Sequence, residues 1–309
     1  MQRKDEFRIF YNHTIHPELL RMERLRRRLL ALLTVSVLLL FGIFILDFYI
    51  GIPVVTFFTL LPAGAYITYL LYRVQKFRQT FKPNVINLIL DFIDDSLNFG
   101  TLKYDSKKFI PKSTFRKSRL FLTAAHQYKG EDHISGKIGE MDFEMCELNV
   151  RELSPVRNRL NYVFKGVFLH STLPYSLRGS ILIWPREFRQ YLTKTVRAFT
   201  YTGGTAVEEE GVLTPSFERI FMTYASRGAN IKGLLSQDMQ AAIVEYKEKN
   251  SKEIYLSVIN KDIYIGITEP KDILEPYIFS SNVSFELVRE FYADIQMLVN
   301  IVQDIDQHH

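Results

Sequence analysis

Between Leu29 and Tyr72 the chain carries one charged side chain, Asp47. A bilayer core about 30 Å thick takes about 20 apolar residues of helix, and this stretch supplies about twice that. Asp47, Gly51 and Pro53 lie near its middle, where one long helix would hold a carboxylate in hydrocarbon at high cost. The pattern predicts two transmembrane helices, about 29–50 and 53–72. A short turn would join them, with Asp47 reaching water and Pro53 opening the second helix. Tyr49 near the turn, and Tyr66, Tyr69 and Tyr72 toward the exit, suit an interfacial aromatic belt. A cleavable signal peptide would have a shorter apolar run nearer the N-terminus, followed by small residues. Here residues 1–28 precede the run, and Leu46-Asp47-Phe48-Tyr49 is a poor cleavage site.

The basic residues predict the orientation. Arg24, Arg26, Arg27 and Arg28 close the N-terminal segment 1–28, Arg73, Lys76 and Arg78 follow the second span, and the connecting turn has no basic residue. Positive flanks stay in the cytoplasm, so both ends should face it, in the cell (inner) membrane. The arginine cluster would also attract anionic lipid, by about 1 kcal/mol per charge. Pro62 and Gly64 are tolerated in membrane helices. No ionisable side chain lies mid-span, so a channel would require several copies of the chain.

Beyond the apolar block the texture changes. Residues 73–120 are predicted to hold a juxtamembrane helix and a basic connector. The helix would start at Pro83 and bury Val85, Leu88, Ile89, Phe92 and Leu97, with Asp91, Asp94 and Asp95 on its outer face. The connector carries Lys103, Lys107, Lys108, Lys112, Arg116, Lys117 and Arg119; it reads equally as a solvated loop and as a contact with the anionic leaflet.

Residues 121–309 are predicted to form an α+β region of mostly antiparallel strands with packed helices. A polar stretch near 200–215, with Gly203-Gly204 and Glu208, Glu209 and Glu210, marks an internal loop compatible with two subdomains. Strands are expected in SRLFLTAAHQY, HISGKIG, MDFEMCELNV, NYVFKGVFLHS, SILIWP and FERIFMTYAS. A further pair in IYLSVI and IYIGI would be joined by a turn at Asn260-Lys261-Asp262. REFRQYLTKTVRAF reads as a helix, SQDMQAAIVEYKEKN as one capped by Ser236, and VSFELVREFYADIQMLVNIVQDID as a long amphipathic one.

The chemistry is sparse. There is no GxxxxGK[ST] loop, no GxGxxG after a strand, no GxSxG elbow and no HExxH pair, so no cofactor and no catalytic residue is assigned. The single cysteine, Cys146, excludes a disulfide within the chain and a thiolate zinc site. His126, Glu131, Asp132 and His133 offer two imidazoles and two carboxylates around an expected turn, the types a divalent metal takes, at a spacing that matches no defined mechanism. His308 and His309 read as a solvated tail. The net charge of +5 sits largely at the membrane flanks and the connector, without the basic stripe and interleaved aromatics of a nucleic-acid reader.

The order of segments resembles an uncharacterised bacterial family of two-span membrane proteins with a large cytoplasmic domain of unknown function. The similarity runs from about Leu29 onward. Its most distinctive points are Tyr128, Gly130, Glu131 and Asp132, and Phe164, Lys165 and Gly166; Ser180 stands where the family often has threonine. The resemblance implies bacterial inner-membrane residence, with some members encoded near LemA-like proteins, and it supplies no activity. The sequence thus points to a membrane protein presenting a cytoplasmic interaction, scaffold or regulatory domain. Its partners would be the bilayer and another membrane or cytoplasmic protein, with a homo-oligomer compatible and no nucleic acid. The alternatives are a membrane-associated enzyme with a metal-dependent site at the His126–His133 turn, and a small oligomeric channel.

Overall fold

A computed structural model describes residues 2–51, 54–97, 102–154, 159–176, 178–187, 192–207, 211–271 and 274–307. Pro53, the 98–99 end of the expected juxtamembrane helix, residues 188–191, Glu208–Glu210, and His308 and His309 lie outside them. The chain divides into two compact units, Met1–Phe92 with Leu274–Arg289, and Ile93–Ile273 with Glu290–His309.

The first unit is built on helices α1 (Gln2–Phe10), α2 (His16–Ile50) and α3 (Val54–Leu97), with a π-helical turn, Tyr11–Ile15, between α1 and α2. Among the described residues, Asp5–Ile50 is the one helical stretch long and apolar enough to cross a membrane. α2 ends on Gly51, whose φ of 76° and N–H bond to the Asp47 carbonyl (2.9 Å) form a left-handed cap. Asp47 therefore belongs to the last helical turn with its side chain buried, rather than to a solvated connection.

Pro83 does not open a separate helix, because α3 runs through both Pro62 and Pro83. An internal proline costs about 3 kcal/mol. Here Phe77, Phe81, Val85, Ile86, Ile89 and Leu90 form one buried seam across it, each contributing roughly 1.5–3 kcal/mol. The seam includes Ile86 and Leu90, whereas Leu88 and Phe92 are half-buried. The rings of Phe7 and Phe10 lie 5.2 and 4.9 Å from Phe92. The beginning of the first helical stretch thus lies beside the end of α3. Phe285, the first residue of α9 (Phe285–Gln307), packs on Tyr11 at 4.9 Å.

The second unit carries a nine-stranded antiparallel sheet in the order β1-β2-β3-β4-β9-β8-β5-β7-β6. The strands are β1 (Lys103–Asp105), β2 (Gln127–Ile138), β3 (Met141–Ser154), β4 (Arg159–Thr172), β5 (Ser180–Pro185), β6 (Gly204–Ala206), β7 (Phe221–Ser226), β8 (Ile254–Ile259) and β9 (Asp262–Thr268). Helices α4 (Lys112–Lys117), α5 (Leu192–Tyr201), α6 (Pro215–Ile220), α7 (Ile231–Leu234) and α8 (Gln237–Asn250) lie between them in the chain. The α+β class with antiparallel strands is what the described residues show.

Both faces of the sheet are covered. On one, Leu148, Val150, Phe164, Phe168, Trp184, Tyr255 and Tyr264 join Ile110, Phe115, Leu120 and Phe121 from the segment before β2, and Phe199 of α5. Ring contacts such as Phe121–Tyr255 at 4.9 Å and Phe115–Phe168 at 5.1 Å knit this layer, each adding about 0.5–1.5 kcal/mol beyond burial. The opposite face buries Met145, Val167, Leu169, Ile263, Ile265 and Ile267, with Phe291 of α9 beside Met145 and Val167.

Several local expectations change. The basic connector folds into the domain through Ile110 and Phe115, and Ser118–His126 is an irregular segment whose Leu120 and Phe121 cap the core. FERIFMTYAS is helix α6 up to Ile220 and strand β7 from Phe221. Ser236 caps α8 as expected: its Oγ accepts from Met239 N–H (3.1 Å) and donates to Asp304 Oδ1 (2.6 Å).

Candidate functional site

The expected turn at Glu131–His133 is a strand interior. β2 and β3 pair Glu131 with Glu147 and Ile134 with Met145, so Asp132 and His133 together oppose Cys146 across a β-bulge. Asp132 takes the left-handed conformation (φ 59°), which aspartate tolerates better than most residues. The bulge reverses the alternation of side chains along β2. Glu131 and Asp132 consequently share one face, while His133 moves to the other.

On the first of these faces, carboxylate oxygens of Glu131, Asp132 and Glu147 lie within 4.8 Å of one another. Asp132 and Glu147 are buried, and Asp132 Oδ1 accepts from the Tyr104 hydroxyl at 2.5 Å. Burial first, and the neighbouring carboxylate second, raise the Tyr104 hydroxyl far above its ordinary range, so it acts as a donor. Three carboxylates at this spacing could hold a hard divalent cation through oxygen. Glu147, which completes the trio, comes from a different strand. The expected histidine ligands are elsewhere: His126 is exposed, and its Nδ1 accepts from Leu153 N–H at 3.1 Å. The Cys146 thiol is buried, accepts from Ile110 N–H at 3.2 Å, and is pushed up to about 12 by burial. It is a core group rather than a nucleophile.

His133 enters the second arrangement, a chain of imidazoles and carboxylates across four strands. Its Nε2 lies 3.0 Å from Glu144 Oε2. The other oxygen of Glu144 lies 3.1 Å from His170 Nδ1, and His170 Nε2 lies 3.1 Å from Asp262 Oδ1, which also accepts from the Thr172 hydroxyl at 3.2 Å. Glu144 and His170 are register partners in β3 and β4. The His170 ring stacks on Tyr264 at 4.9 Å and 14°, which fixes its plane.

The electrostatics follow from the geometry. Hydrogen bonds from His133 and His170 hold the Glu144 carboxyl down to about 2. Burial alone would lower His170, but its bonds to Glu144 and Asp262 outweigh that, and the imidazole is raised above its ordinary value. The chain of groups lies at one side of an open groove of 540 Å³, lined by Lys103, Ser135, Gly136, Lys137, Asp142, Phe143, Glu144, His170 and Thr172. Such a row can store a proton, donate or accept hydrogen bonds at the groove wall, and change its net charge near neutral pH.

Of the four residues singled out from sequence, the structure gathers Glu131 and Asp132 in one cluster, His133 in another, and leaves His126 at the sheet margin. Glu144, His170 and Asp262 escaped sequence reasoning because they are 26 and 92 positions apart along the chain. A usable signal existed. Glu144 shares strand parity with Cys146 and Leu148, and His170 with Phe164 and Phe168, so polar groups occupy positions that alternation assigns to the interior.

Residues 162–307, a little under half of the chain, match the family described as "Protein of unknown function (DUF3137)". That match runs from β4 to the end of α9. No curated protein matches the chain. The crystal structure of the mycobacterial trehalose monomycolate transport factor A, TtfA, aligns over 66% of this chain and 90% of that one, at 6% identity and a TM-score of 0.29. Similarity that low carries no argument about fold or role.

Proposed function

We propose that the chain is a two-span integral membrane protein of the bacterial inner membrane, holding both its ends in the cytoplasm. Its α+β region would then act there as an interaction or regulatory domain for another membrane or cytoplasmic protein. One observation carries the membrane placement, the reversal of exposure along the first helical stretch (α1 to α2) and α3. Phe7, Tyr11, Ile15, Leu19 and Met22 are buried, as are Phe77, Phe81 and Val85. Between these stretches Leu38, Phe48, Tyr49, Phe57, Phe58 and Leu61 are 62%, 84%, 89%, 70%, 72% and 76% exposed. Each such side chain left in water forgoes about 1.5–3 kcal/mol, which hydrocarbon restores. The outward Arg24, Arg27, Arg28, Arg73, Lys76 and Arg78 flank this zone on one side and support the orientation. Arg26, by contrast, is buried against Glu23 and adds nothing to a lipid-facing collar.

Native Cys146 is buried, so labelling from outside needs an introduced thiol. In intact cells, Y49C should react with an impermeant maleimide and K137C should react only after lysis. Reaction of K137C in intact cells would end the proposal.

A second reading, a metal-assisted enzyme at the membrane face, is favoured by the convergence of Glu131, Asp132 and Glu147. Stoichiometric Mn²⁺ binding by the purified full chain, lost in D132N, would support it. Absence of binding at millimolar Mn²⁺ would remove it.

A further inference from the structure

We infer that the loop 274–284 is a second membrane contact, with Phe279 and Tyr277 seated among the lipid headgroups beside α2. This rests on the reading of α2 as a span.

Phe279 is 91% exposed and Tyr277 56% exposed. Single exposed aromatics are ordinary, but the backbone that carries these two is pinned on both sides of Phe279. Tyr277 N–H donates to Asn282 Oδ1 (2.6 Å), and Asn282 Nδ2 donates to the Tyr277 carbonyl (2.9 Å), closing the loop on itself. Arg26 Nη1 donates to the Ile278 carbonyl at 2.5 Å, and Asn282 N–H to Glu23 Oε2 at 3.4 Å, tying the loop to α2.

These ties set its height. Lys82, ten residues beyond Tyr72 and thus about 15 Å from the end of the second apolar run, bonds Glu275 at 3.3 Å. Arg26 is three residues, or about 4.5 Å, before the first apolar run, and Glu23 about 9 Å before it. Phe285 then returns to Tyr11, about 27 Å away. The segment therefore climbs toward the bilayer, turns over at Ile278–Phe279 and descends. The headgroup layer on each side of the hydrocarbon is about 5–8 Å thick, so the apex reaches it.

The chemistry agrees with the height. From Pro276 to Phe285 the segment carries no charge, while Arg24, Arg27 and Arg28 stand exposed on α2 at the same level. Uncharged aromatic tips beside a basic collar are what an interface with anionic headgroups accommodates.

The test uses the full chain in nanodiscs of phosphatidylglycerol and phosphatidylcholine, with tryptophan fluorescence and lipids brominated at shallow or deep positions. Trp184 is buried in the core and supplies a constant background. F279W should emit to the blue of its value in detergent-free buffer peptides. It should be quenched about twofold more by shallow than by deep bromines, as a depth of about 5–10 Å requires. L39W, near the middle of the first apolar run, should show the opposite order. Quenching in L39W without quenching in F279W would overturn the loop contact and leave the span standing. A blue shift in F279W without bromine quenching would mean that protein, such as a second copy, covers the loop, and would equally overturn it. No quenching in either variant would remove the span and the loop contact together.

Discussion

Glu144 Oε1 and His170 Nδ1 face each other at 3.1 Å across β3 and β4. With the bond from His133 to Glu144, the larger influence there, this contact draws the carboxyl down. With the bond to Asp262 it lifts His170 against the effect of burial. Glu144 is depressed from 4.5 to about 2, so its contribution to stability is present above pH 4.5 and is lost as the pH falls toward 2. His170 is raised above 6.5, so its contribution is complete below pH 6.5 and fades as the pH climbs through the raised value. The two overlap fully between about pH 4.5 and 6.5. E144Q should therefore cost about 1–3 kcal/mol near pH 6 and much less at pH 9. Hydrogen exchange of the β3 and β4 amides reads this directly. Equal losses at the two pH values would show that the pair does not titrate as described.

Gly166 is a position where the backbone admits no side chain. Its φ is 150°, and a Cβ there would lie 2.0 Å from the Ile267 carbonyl oxygen and 2.6 Å from Glu269 N. Both are backbone atoms of, or next to, the paired strand β9, so G166A must part β4 from β9. A loss of roughly 3 kcal/mol or more is expected. G130A meets Phe109 Cβ at 2.5 Å and Leu148 Cδ2 at 2.8 Å. A Cβ moves only with its backbone, so the irregular segment before α4 must shift, at a cost of about 1–3 kcal/mol, less than parting two paired strands. G42A, with nothing within 4 Å, should be neutral or gain about 0.5–1 kcal/mol. Melting temperatures in one detergent rank the three, and a G166A protein as stable as G42A would contradict the strand geometry.

These glycines show what the sequence could convey. The Tyr128–Asp132 and Phe164–Gly166 motifs stood out as short patterns, and their meaning is steric and conformational: a phenylalanine seated over Gly130, a bulge at Asp132, a close strand approach at Gly166. Strands with hairpin turns were legible, because period-two patterning and the turn at Asn260 (φ 58°) are local. Pro83 misleads because a proline's cost is local, whereas the seam from Phe77 to Leu90 that spans it depends on what the helix packs against. The bulge was illegible for a different reason. Two residues opposing Cys146 depend on which strand pairs with β2, a long-range fact that also decides why His133 meets Glu144 rather than Glu131.

Lys252 is buried with Asp294 (2.7 Å) and Glu269 (2.7 Å), and the Tyr246 hydroxyl also bonds Asp294. This network fastens α9 to the segment before β8 and the one after β9. Removing one member leaves a charge without its main partner in a place water reaches poorly. D294A should therefore cost about 3–5 kcal/mol. D294N, which keeps an acceptor for Tyr246 and a dipole for Lys252, should cost less. Hydrogen exchange along α9 separates the two, and an unaltered α9 in D294A would show that the network contributes little to its docking.

The last expectation concerns Glu23, which is buried between Arg26 (2.5 Å) and Arg27 (2.9 Å). Its carboxyl is held down to about 2, by Arg26 foremost, with Arg27 and the Asn282 N–H adding to it against the opposing effect of burial. A depressed carboxyl stabilises above its ordinary 4.5 and ceases to do so as the pH falls toward 2. Because the same Arg26 donates to the Ile278 carbonyl, weakening this pair should free the 274–284 loop. Each 1.4 kcal/mol lost raises the open population about tenfold. Pepsin, which works in acid and cuts beside aromatic residues, should therefore cleave near Tyr277 and Phe279 faster at pH 2.5 than at pH 4.5, beyond the enzyme's own pH response on an unfolded peptide. At pH 7, chymotrypsin should cut R26A at the same place at least about tenfold faster than the parent chain, while R26K falls between them. Parent and R26A cut at equal rates would mean that the Glu23–Arg26 pair does not hold the loop.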